Sequence, residues 1–145
     1  MGCGGGSLEP TTSPLTEGAE VSPQRYLADS VGAAGAVQSF WTLTAQLGPA
    51  PTPAELRAAA PALAAQRDAV RAAADRLDAA QLADQRLETQ REDAVRGLEL
   101  VLAAIDQVVA AAEAGNPDAL AMARERLAAA ITSLRERLAG PEEAG

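Results

Sequence analysis

The architecture of this chain turns on DAAQLAD, residues 78–84, which sit in a region where neither Gly nor Pro occurs between Ala62 and Arg96. Upstream, Leu56, Leu63, Val70 and Leu77 recur every seven residues, with Ala59, Gln66 and Ala73 at the intervening steps, so they line one helical face. The next step of seven lands on Asp84, a poor core residue. Downstream, Leu87, Ala94, Leu98, Ile105 and Ala112 establish a new phase. One helix through both phases would run ~60 residues and about 90 Å at 1.5 Å per residue. It could not cover its own apolar face in a chain of 145 residues. Residues 78–84 are therefore read as a turn between helices over 53–79 and 84–114.

The other boundaries carry local signals. Ser22 followed by Pro23 is an N-cap with Pro in the first turn, and it opens a helix over 23–47. Leu27, Val31, Ala34, Val37, Trp41, Thr44 and Leu47 are its expected inner stripe, and Gly32 and Gly35 are expected to face a neighbouring helix closely. Gly48-Pro49 ends it, and Thr52-Pro53-Ala54-Glu55 is a capping box that starts the second helix. Pro61 within that helix removes a backbone donor and predicts a kink. The third helix is the most apolar, with Leu98, Leu100, Val101, Leu102, Ile105, Val108 and Val109 around much of its circumference. Arg96, Glu99, Asp106 and Glu113 interrupt it, so it does not read as a membrane span. Gly115 closes it, and Asn116-Pro117-Asp118 opens a helix over 117–139. Leu120, Leu127, Ile131, Leu134 and Leu138 form its expected inner stripe, and Met122 reads as core filler. The expected fold is all-α: an antiparallel up-down four-helix bundle over 23–139 with a disordered N-terminal tether, 1–22, and a short acidic tail, 140–145.

Composition agrees and excludes many chemistries. Of 145 residues 36 are Ala and 17 Leu, and aromatics make up 2%. That is too apolar for disorder and too poor in aromatic and β-branched residues for a sheet protein. There is no His and no Lys; the 12 basic residues are all Arg. A Ser-His-Asp triad, an imidazole metal site, a Schiff base and a phosphate-loop lysine are thus excluded. One Cys forms no internal disulfide or thiolate zinc site. No catalytic residue, cofactor or metal is expected, and a net charge of −8 argues against nucleic acid. Glu92-Asp93 reads as solvated helix surface, and Glu92–Arg96 and Arg71–Asp75 as ion pairs at helical spacing. At least one of Phe40 and Trp41 is expected in the core.

Residues 1–22, MGCGGGSLEPTTSPLTEGAEVS, have no apolar period and read as a flexible tether. Cys3 is the residue in it with a specific chemistry: it follows Gly2 and precedes three glycines and a Ser/Pro/Thr-rich stretch. The segment resembles the start of a mature bacterial lipoprotein, in which a small residue precedes the lipid-modified cysteine. Met1 stands where that pattern has another small residue, and neither a basic nor an apolar leader region is present. The expectation is a chain trimmed at the cleavage site and given a start Met, or a start codon placed downstream of the native one. Myristoylation with palmitoylation fits Met1-Gly2-Cys3 but wants Ser or Thr at position 6, where Gly6 stands. A linker with a chance cysteine explains the same residues.

The folded part, with AAAEAGNPDAL at 110–120 and Arg in place of every Lys, resembles small uncharacterised Ala-rich helical-bundle lipoproteins of high-GC bacteria. The resemblance implies attachment to the membrane through a lipid on Cys3, on the extracytoplasmic face of the cell envelope. It implies no activity. The expected function is that of a binding or structural module with an unidentified protein partner. The alternative is a soluble cytoplasmic coiled-coil-like adaptor without an anchor.

Overall fold

The computed structural model describes residues 21–139. The acidic tail and all of the tether except Val21 and Ser22 lie outside the described residues. Four helices fill the span: α1 (Pro23–Gln46), α2 (Pro53–Ala79), α3 (Gln85–Ala114) and α4 (Pro117–Ala139). They form an all-α antiparallel up-down bundle in which each helix packs on its neighbour in sequence, most extensively α3 on α4. Arg57 at the start of α2 reaches Ala114 at the end of α3, and Arg137 near the end of α4 meets Asp93 near the start of α3.

Every helix opens on a side-chain cap that satisfies backbone N–H groups with no partner inside the helix. Ser22 Oγ accepts from the Arg25 N–H at 3.0 Å. The capping box is complete: the Glu55 N–H donates to Thr52 Oγ1 at 3.1 Å, and the Thr52 N–H to Glu55 Oε1 at 2.8 Å. Asp84 Oδ1 accepts from Arg86 and Leu87 at 2.8 and 3.1 Å, and Asn116 Oδ1 accepts from Ala119 at 3.1 Å. Asp84, which breaks the apolar phase of α2, is thus the residue that starts α3. At the far end of α3, Gly115 takes φ +64, a left-handed conformation that a side chain would strain, and it turns the chain into α4.

Three helix C-termini are closed by an arginine from another helix. Arg91 of α3 donates through Nη1 to the Leu77 and Asp78 carbonyls of α2, at 3.0 and 3.1 Å. Its other edge binds the Glu88 carboxylate, Nε at 3.1 Å and Nη2 at 2.5 Å, while Glu88 Oε1 also accepts from the Leu82 N–H at 3.0 Å. Arg57 of α2 donates to the Ala114 carbonyl of α3 at 3.3 Å. Arg124 of α4 donates to the Gly48 carbonyl at 2.7 Å and to the Thr44 carbonyl at the end of α1. The last carbonyls of a helix lack intrahelical partners and form its negative end, so a planar, permanently charged guanidinium suits them.

The core centres on α3, where thirteen of 30 residues are buried, among them Val101, Ile105, Val108 and Ala112. Leu56, Leu63, Val70 and Leu77 of α2 and Leu120, Leu127 and Leu134 of α4 close around it. α1 is the least embedded, with four buried residues, Ala33, Val37, Phe40 and Thr44.

That α1 face corrects the expected stripe. Val37 and Thr44 are buried as expected, but Leu27 and Val31 are 63% and 64% exposed, and the inner line passes through Ala33 and Phe40. VGAAGA, 31–36, offers small residues at every phase, so packing in the second half of α1 sets its rotation. Nothing lies within 4 Å of a Cβ built at Gly32 or Gly35, so neither glycine admits a close helix. That role falls to Gly97, where a Cβ would stand 2.8 Å from Leu134 Cδ1 and 3.5 Å from Leu134 Cα. Leu100, Met122 and Leu138, expected inside, are 51%, 56% and 44% exposed. Arg71 crosses to Asp106 of α3 at 3.2 Å rather than pairing with Asp75.

The glycines give a prediction of opposite signs. Gly32→Ala with Gly35→Ala raises the unfolding free energy by about 1–2 kcal/mol in total, because Ala is the better helix former and its methyl meets open space. Gly97→Leu lowers it by about 1–3 kcal/mol through overpacking against Leu134. Urea unfolding followed by circular dichroism measures both; equal signs would contradict the packing described.

Candidate functional site

Cys3, the residue singled out for modification, lies outside the described residues. Among the described residues, three recesses bear on function. Phe40 is fully buried, whereas Trp41 is half-buried and lines a cavity of about 150 Å³ between α1 and α4 with Gln38, Ile131 and Arg135. At the end where α3 starts and α4 finishes, a polar recess of about 500 Å³ is lined by Glu92, Asp93, Arg96, Glu136 and Arg137 among others. Asp93 there is tied to Arg137 at 2.5 Å, and Glu92 is exposed, so these adjacent carboxylates do not converge. Among the described residues, no three His, Cys, Asp or Glu side chains gather as metal ligands, and no helix is long and apolar enough to cross a membrane.

The third recess is a groove on the outer face of the α3–α4 pair. Two hollows of about 390 and 330 Å³ meet where the Arg126 Nη1 donates to Gln107 Oε1 at 2.9 Å. Alanines make the floor: Ala110, Ala114 and Ala119 in one hollow, Ala103 and Ala129 in the other. The exposed side chains of Met122, in the first hollow, and Leu100, in the second, stand beside the floor. Alanines rather than large side chains line the groove, and farther along the same pair Gly97 admits Leu134 of α4 closely.

The surroundings of the groove are acidic. Glu92, Glu99, Asp106 and Glu113 recur every seven residues and so run as one row along α3, while Asp118, Glu125 and Glu136 lie along the exposed side of α4. Asp106 is bridged to Arg71, and the remaining six are exposed. With Asp93, Arg96, Arg126, Arg137 and Arg71, the partner of Asp106, included, this face holds eight carboxylates and four arginines, net −4. The rest of residues 21–139 holds seven carboxylates and eight arginines, net +1. The spacing of the α3 row was legible in the sequence. That it borders an apolar groove was not, because Leu100 and Met122 read as core residues.

No protein-family model matches this chain, and neither the curated proteins nor the solved structures yield a match.

Proposed function

We propose that this protein is a lipid-anchored module of the cell envelope that acts by binding a protein partner rather than by catalysis. The observation that carries the anchor is the Gly2-Cys3 pair followed by about twenty polar residues before the first helix cap at Ser22. A cysteine in such a sequence has no apolar neighbours to pack with, and a thiol beside small residues suits lipid attachment. One acyl chain holds a protein only marginally, so stable attachment takes the two or more chains of a diacylglyceryl-modified cysteine. Glu9, Glu17 and Glu20 give the segment after Cys3 a net negative charge, which does not favour contact with an anionic leaflet. The groove on the α3–α4 face supports the binding role.

The test is expression of the gene in its host, then detergent phase partitioning of wild type and Cys3→Ser. Wild type in the detergent phase with Cys3→Ser in the aqueous phase supports the anchor. If both stay aqueous, the unanchored adaptor replaces it.

A further inference from the structure

We infer that the α3–α4 groove is a docking site for a basic amphipathic helix, seated with its apolar face on the alanine floor and its Lys or Arg residues against the flanking carboxylates. The inference rests on the binding-module part of the function proposed above and does not depend on the anchor, so either can fail alone. Three features of the face define the occupant. Its floor is apolar and concave, and alanines allow a second backbone to come close, which suits a helix with small apolar side chains. Its length from Leu100 to Ala114, 14 residues of α3, is about 21 Å, or four turns of a bound helix. Its borders are acidic on both sides, Glu99 and Glu113 on α3, Asp118 and Glu125 on α4, so the partner's flanks must be basic.

The charge distribution also argues against a second copy on this face. Two such faces would bring net −4 against net −4 across a two-fold axis, and the two Arg126–Gln107 bridges would meet near that axis. The occupant is therefore a different chain with the opposite charge.

The experiment uses the full chain without lipid and two labelled 20-residue helical peptides. One has Ala and Leu on one face with Lys on the flanks; the other replaces every Lys by Glu. Fluorescence anisotropy should show the basic peptide binding wild type with a Kd below about 100 μM, while the acidic peptide does not bind below about 1 mM. Glu99→Lys with Glu125→Lys should weaken binding at least about tenfold, and Asp75→Lys, on α2, should leave it within about twofold. Ala110→Glu separates docking from simple charge attraction. It adds a negative charge, so nonspecific attraction would strengthen, whereas a helix seated on the groove floor loses at least about tenfold in affinity. Ala103→Glu repeats the test on the other hollow, and thermal melts establish that each variant is folded. Failure of wild type to bind the basic peptide would overturn the inference. So would Ala110→Glu and Ala103→Glu binding as tightly as wild type, or Asp75→Lys costing as much as the paired reversal. Concentration-dependent dimerisation abolished by Ala110→Glu would assign the face to a second copy instead.

Discussion

Truncating Ile105 to Ala lowers the unfolding free energy by about 3–4 kcal/mol, a large single-site loss at the middle of the core. Ile105 has no exposed surface, and it lies at the middle of α3, the helix that contributes most buried residues. The cost has two parts. The side chain's transfer out of water is lost, and a cavity remains because neighbours anchored on α2 and α4 relax only partly. Five residues earlier, Leu100→Ala removes a side chain of similar size from the same helix, but Leu100 is 51% exposed, and the change should stay within about 0.5 kcal/mol. Guanidinium or urea titrations of the two variants measure the contrast. Equal losses would mean that α3 is rotated relative to the packing described.

Arg91→Ala is the second large effect, about 3 kcal/mol, and its origin is polar. Arg91 is 8% exposed, and its guanidinium makes four hydrogen bonds, two to carbonyls at the end of α2 and two to Glu88. Its removal takes the side-chain donor from the Asp78 carbonyl and leaves the Leu77 carbonyl and the Glu88 carboxylate with only the Ala80 and Leu82 N–H groups, and under-satisfied partners at a buried turn cost more than the bonds themselves contribute. Arg91→Lys recovers only part of the loss, since an ammonium cannot serve two carbonyls and a carboxylate through opposite edges of a plane. Acid titration gives an independent check. Hydrogen bonding from Arg91, aided by the Leu82 N–H, holds the Glu88 carboxyl below its ordinary value of 4.5 against the opposing effect of burial. A carboxyl depressed in the folded state contributes stability that is complete above that ordinary value and is lost as the pH falls through the lower folded value. The difference between wild type and Arg91→Ala should therefore be constant near neutrality and shrink below about pH 4.5. A difference independent of pH down to acid unfolding would show that Glu88 takes no part in the clamp.

These two positions show what was and was not legible in the sequence. Ile105 sits in a period, Leu98 to Ile105 to Ala112, that marks a buried face whatever the rest of the chain does. The caps at Ser22, Thr52 and Asn116 are equally local, because a side chain and the N–H it serves lie three residues apart. The arginine clamps join residues that are distant in sequence. Arg124 serves Gly48 and Thr44, and Arg57 serves Ala114, and a carbonyl acceptor carries no residue signature at all. In α1 large apolar residues dominate the period and point to Leu27 and Val31, while packing there follows Ala33 and Phe40. The same bias placed Leu100 and Met122 in the core, and so hid the groove that they border. Cys3 depends on neighbouring residues alone, Gly2 before it and the glycines after it, and no packing argument bears on it.

The proposed anchor on Cys3 is the claim on which location rests, and mass spectrometry of the protein extracted from its host's membranes tests it most directly. The chain has no Lys, and Arg25 is its first Arg, so trypsin releases everything before Tyr26 as one peptide. The peptide Cys3–Arg25 with its N-terminus at Cys3, heavier by a diacylglyceryl group, is the result expected here. A peptide that retains Gly2 and an unmodified Cys3 thiol would contradict it.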